Sequence, residues 1–180
     1  MIAALPMYEV PATRAAHDTL WRAIRAELAG EGVAAPVRLS RDLSPWDSWT
    51  HPDLLLGQVC GLPLRACLRD RVTVIGAFDH ALPRTPAGYY RSVIVTRPGA
   101  PRGLRDHRSS RLAYNEALSH SGWAAAQLAA REAGFAFTRH IATGSHLNSA
   151  RAVAAGRADI AAIDAISWRR IRSDPAARRL

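Results

Sequence analysis

Two rhythms of apolar positions run through the chain, short apolar stretches and longer segments with helical spacing. Ile2 to Met7 reads as a short buried strand ending at Pro6-Met7-Tyr8. In the next segment Ala16, Leu20, Ala23, Ile24 and Leu28 recur at helical spacing. Thr13 is its candidate cap and Gly30 its candidate stop. Val37 to Leu39 supplies the following strand, so the chain opens β-α-β with the strand tip Leu5 to Tyr8 facing a crevice. "SPWDSWTHP" is a loop whose tryptophans either line a pocket or cap the edge of a core. Asp53 to Leu56 forms a short strand, and a helix starts near Pro63, where proline suits the first turn. "RVTVIGAF" and "GYYRSVIVTRPG" read as strands, and "PGAPRG" as a linker.

From Arg111 the pattern restarts. "RLAY" is a strand, "NEALSHS" a loop, and Gly122 to Ala133 a helix closed by Gly134. "FAFTRHIAT" is a strand, "GSH" a turn, "LNSARAVAA" a helix stopped by Gly156, and "ADIAAID" a buried strand. Strands alternating with helices predict an α/β fold, mainly parallel sheets with helices on both faces. Two such units joined by a linker predict two lobes. Residues 1–95 form lobe one, 96–165 lobe two, and 166–180 a segment returning toward lobe one.

Bulk properties narrow the classes. No apolar run approaches the ~20 residues that span a bilayer. The start "MIAALPMYEV" has no basic n-region, so a cytoplasmic product is expected as written, and a periplasmic one if the true start lies upstream. All 24 basic residues are arginine and the net charge is +9. The arginines are scattered except for "WRRIR" and "RRL", unlike the stripe that nucleic acid requires. Either codon bias or a field attracting a small anion accounts for them. Cys60 and Cys67 read as packing residues. No Cys/His cluster has zinc spacing, and P-loop, GxGxxG, HExxH and GxSxG motifs are missing, so neither metal nor cofactor is expected.

The candidate chemistry lies in hydroxyls at helix starts. In "NEALSHSGW" Ser119 and Ser121 bracket His120 and precede Gly122, where helix N–H groups lack intrahelical partners. Either Ser121 caps the helix, or the hydroxyls and N–H groups hold an anion. Thr143-Gly144-Ser145-His146 repeats this grammar before the next helix. His146 either donates to an oxyanion or faces solvent. Asp164 ends a buried strand and either meets a ligand ammonium or hydroxyl or caps the next helix. Gln58, Tyr8 and Tyr90 stand at turns or strand tips of the first lobe.

Taken together, "ALPMY", "DLLLGQVCGLP", "GYYRSVIV", "AYNEALSHSGW" and "TGSH…SARAVAAGRADIAAIDAISW" resemble the phosphate/phosphite/phosphonate substrate-binding proteins of ABC transporters. The resemblance implies a type II periplasmic-binding-protein fold whose two lobes close on a ligand. It implies that Ser119, His120, Ser121 and Gly122 hold the oxyanion, assisted by Thr143, Ser145 and His146. Tyr8, Gln58 and Tyr90 would add contacts, and Asp164 would meet a ligand amine. Expected partners are a small oxyanion and an ABC permease. Against the family pattern the chain stops early, at "SDPAARRL", so lobe one is expected to be incomplete and self-association to a homodimer follows. The protein is expected to bind rather than catalyse. The alternative is an enzyme on the same fold, of the menaquinone- or thiamine-precursor type.

Overall fold

β1 (Ile2–Ala4) pairs in parallel with β2 (Leu54–Gly57), with an irregularity between Ile2 and Ala3. Between them run α1 (Arg14–Gly30) and the short α2 (Pro45–Trp49). The computed structural model describes residues 1–172. Contacts divide the chain into two compact units after Thr73.

In the first unit Trp21, 1% exposed, packs with Ala3, Leu5 and Leu39, and its indole N–H donates to the Pro36 carbonyl. The buried face of α1 is therefore Trp21, Ile24 and Leu28. Ala16, Leu20 and Ala23 are exposed, because one large indole turns the helix toward its own side. The expected strand Val37–Leu39 does not form. Val37 is exposed, and the segment is tied to β1 through a bond from Ser40 N–H to the Ala3 carbonyl. The tryptophan loop folds as α2, capped by Ser44, with Trp49 buried against the core edge and its N–H donating to the Gln58 carbonyl. α3 (Gly61–Pro63) runs into a π turn at Leu64–Leu68. Cys67 is exposed there, so it is not the packing residue expected.

The second unit holds a four-stranded sheet of order β3-β6-β4-β5. Its strands are β3 (Ser92–Thr96), β4 (Leu112–Tyr114), β5 (His140–Ala142) and β6 (Ile160–Asp164). β4, β5 and β6 are parallel and β3 is antiparallel to β6. The expected lobe boundary at 95/96 falls inside β3, whose partner lies in this unit. "RVTVIGAF" forms no strand and leaves Val74 and Ile75 63% and 81% exposed.

Side-chain alternation builds two cores on this sheet. Leu112, Ile160 and Ala162 face α4 (Ala125–Glu132), whereas Ala113, Ala161 and Ile163 face α5 (His146–Ala154) and α6 (Ala165–Ile171). The chain leaves β4 toward β5 over one face and returns to β6 on the far side of β4 over the other. The carboxyl ends of β4 and β6 thus form a topological switch point, where open α/β sheets bind ligands. α6 belongs to the expected return segment, whose residues 173–180 lie outside the described residues.

Candidate functional site

Three loops meet at that edge. After β4 the chain runs from Asn115 to Ser119 and enters a π turn, His120–Ala124, that continues into α4. Ser119 caps this start: the Gly122 N–H donates to its Oγ at 3.0 Å. Its carbonyl accepts from both Trp123 and Ala124 N–H at 3.2 and 3.1 Å, the bifurcation that widens the turn. Ser92 Oγ donates to the Ser121 carbonyl at 3.0 Å, pinning the turn to β3. Gly122 is required by packing, because a Cβ there would collide with Asn115 Oδ1 and press on His146 Cε1.

His146 opens α5 and joins the other two loops. Its Nε2 lies 2.9 Å from Ser121 Oγ and 3.2 Å from Asp164 Oδ2. Asp164 is 2% exposed, and its Oδ1 accepts from the Ile166 and Ser167 N–H groups as the cap of α6. Burial lowers the His146 pKa below 6.5, with the Asp164 charge opposing. The neutral imidazole has one proton, and a carboxylate only accepts, which assigns that proton to Nε2. Nδ1 then carries a lone pair, buried and without a hydrogen-bond partner among the described residues. Asn115 Oδ1 is a second such buried acceptor.

This proton assignment gives the serines their chemistry. Ser119 Oγ accepts from Gly122, and Ser121 Oγ shares the His146 proton, so each hydroxyl keeps its own proton for another acceptor. An oxyanion is such an acceptor. The trio is not a nucleophilic triad. In a triad the acid orients the imidazole through one nitrogen and the serine uses the other. Here Ser121 and Asp164 share Nε2, so Asp164 cannot orient an imidazole that deprotonates Ser121.

Tyr90 and His120 stack edge to face with centroids 5.9 Å apart. Thr143 Oγ1 lies 3.0 Å from the Tyr114 carbonyl and 2.7 Å from Ser149 Oγ, and Ser145 Oγ accepts from Asn148 N–H as the cap of α5. Thr143 Oγ1 is thus engaged within its own loop and with α5, whereas Ser145 Oγ, an acceptor from Asn148 as Ser119 Oγ is from Gly122, keeps its own proton. In the first unit Tyr8 has φ 66, a left-handed conformation unusual for a bulky residue. Thr13 Oγ1 holds the Tyr8 carbonyl at 3.0 Å, and Gln58 Oε1 is buried without a partner among the described residues. Sequence reasoning missed Asn115 and Ser92. Asn115 was detectable as the first residue beyond β4 at the switch edge, whereas nothing local marks Ser92.

The surrounding charge is uneven. Residues 1–73 carry eight arginines and eight acidic residues, and residues 74–180 carry sixteen and seven. The whole excess of +9 resides in the unit that holds this site, a field favourable to anions. Among the described residues no group of His, Cys, Asp and Glu could hold a metal ion, and no helix is long and apolar enough to cross a membrane.

Residues 69–180 match the family model described as "ABC transporter, phosphonate, periplasmic substrate-binding protein". The chain belongs to that family. The match contains the whole site from Asn115 to Asp164. A solved structure of a binding protein component of an ABC phosphonate transporter from Pseudomonas aeruginosa shares 15% identity and a TM-score of 0.63. The alignment covers 99% of this chain and 62% of that one, so this chain spans about three-fifths of that protein's length. The expected α/β binding-protein fold is thereby borne out. No curated protein matches the chain.

Proposed function

We propose that the chain is a substrate-binding component that captures a small oxyanion, phosphonate-, phosphite- or phosphate-like, and presents it to an ABC permease on the periplasmic side. The observation carrying this reading is the convergence of Ser119, Ser121, His146 and Asp164 at the switch edge of a phosphonate-binding family member. The two hydroxyl protons and the N–H groups of the helix start serve the oxyanion, and Gly122 lets it approach the backbone. His120 and Tyr90 form one wall. Thr143 and Ser145 fix the loop that carries His146. Tyr8 and Gln58 are assigned to ligand contact by family resemblance.

Asp164 narrows the ligand class. A buried carboxylate repels a bare dianion, and no guanidinium is hydrogen-bonded to it among the described residues. The site therefore suits an oxyanion that brings a donor, either an acidic P–OH or an ammonium. The buried acceptors at Asn115 Oδ1 and His146 Nδ1 support the same demand. Binding, not turnover, is the activity we assign.

A thermal-shift series tests the reading, since a ligand that binds only the folded state raises its melting point. Methylphosphonate, 2-aminoethylphosphonate, phosphite and phosphate are the probes, with sulfate as a fully ionised control. At least one phosphorus oxyanion should stabilise the protein and sulfate should not. Equal response to sulfate, or none to any probe, counts against it.

A further inference from the structure

The loop 79–85 is held in a costly conformation against the elements that carry Asp164. Ala81 and Arg84 have φ 47 and 56, which side-chain-bearing residues rarely adopt. Several bonds impose it. Asp79 Oδ1 accepts from Ala81 N–H at 2.9 Å, and Arg91 Nη1 donates to the Pro83 carbonyl at 2.6 Å and to Thr85 Oγ1 at 2.8 Å. Arg169 Nη2 donates to the Ala81 carbonyl at 3.3 Å, and Leu82 is buried. Both clamping arginines belong to the scaffold of Asp164. Arg91 precedes β3, whose Ser92 pairs with Asp164, and its carbonyl accepts from Ala165 N–H. Arg169 lies on α6, the helix that Asp164 caps.

We propose that this loop is part of the oxyanion site and that His80, held within it, contacts the bound oxyanion as a specificity-determining residue. The inference rests on the oxyanion reading above and adds a residue to it. His80 is half-buried, and among the described residues the charges acting on it include Asp164 at the end of β6, Asp79 in its own loop, and Arg169 and Arg170 on α6. Burial lowers its pKa from 6.5, while Asp164 and Asp79 pull upward. An oxyanion placed beside it adds to the upward pull, so binding is accompanied by proton uptake at His80. Affinity then strengthens as pH falls through the interval between the free and bound values.

Calorimetry with methylphosphonate tests this on the full chain, wild type first. His80→Ala should weaken binding about tenfold at neutral pH. His80→Gln, which keeps an N–H donor, should recover part of that loss but bind without the wild type's additional strengthening on acidification. Comparing variant with wild type cancels the probe's own titration. Thermal midpoints of both variants should stay near that of the wild type. In addition, the His80 imidazole resonances of the wild type should move on adding methylphosphonate, a readout that needs no variant to fold. Wild-type affinity in His80→Ala, or unmoved His80 resonances in a protein that binds the probe, overturns the role of His80 and leaves the oxyanion reading standing. If the wild type does not bind methylphosphonate, phosphite or phosphate, the oxyanion reading itself falls, and this inference with it.

Discussion

Ser121 and Asp164 meet on one nitrogen of His146, and that nitrogen decides what each can offer a ligand. The shared proton leaves Ser121 a donor, and burial keeps the imidazole neutral. The pH consequence has a definite sign. Folded His146 titrates below 6.5 and unfolded His146 near it, so between those values the unfolded chain takes up the proton first. Stability from this site is full above about 6.5 and declines as pH falls toward the folded value. Chemical denaturation from pH 8 to 5 should show that decline in the wild type and a shallower one in His146→Gln. Identical slopes would contradict the assignment. Ser119→Ala removes a cap and should cost about 1 kcal/mol of stability, read from the same denaturation curves. Gly122→Ala forces Asn115 aside and presses His146. It should cost about 1–3 kcal/mol by overpacking and reduce oxyanion affinity more than Ser119→Ala does. Equal affinity in Gly122→Ala and wild type would show that the packing at Gly122 does not shape the binding site.

At the level of elements, Asp159 joins the entry of β6 to the entry of β4. Its Oδ2 accepts from Arg111 N–H at 2.7 Å, and Arg97 lies 3.4 Å from Oδ1. The Arg111 backbone bond, then Arg97, holds the carboxyl below its ordinary 3.8. This stability is present above about 3.8 and is lost as pH falls through the lowered folded value. Asp159→Asn should cost about 1 kcal/mol at pH 7 and converge with the wild type in strong acid. A constant gap across that range would place the effect elsewhere. The elements readable from sequence are those whose signal is local. The unbroken apolar run of β6 marked a strand buried on both faces, and the serines marked where two helices start, although the cap of the first is Ser119 and not Ser121. "RVTVIGAF" has equal β propensity and makes no strand, because propensity does not supply a pairing partner. The π turn at His120–Ala124 and the loop around His80 had no local signal either. One depends on a carbonyl shared by two N–H groups, the other on arginines from β3 and α6.

On the scale of the whole chain, the division of charge and the family match point to the same unit. Residues 74–180 carry all of the net +9, and the family match at 69–180 covers the same stretch. That two serine-led helix starts recur on consecutive β-α units was readable in the sequence, and from it came the proposal that Ser119 and Ser121 hold an anion. Their division of labour was not, since it depends on which proton His146 carries. The most direct test of the central claim is isothermal titration calorimetry of the purified chain with methylphosphonate, beside the Ser119→Ala/Ser121→Ala double variant. The wild type should bind one equivalent, and the double variant should remain folded by circular dichroism and give no binding heat. A folded double variant that binds methylphosphonate as tightly as the wild type would contradict the account.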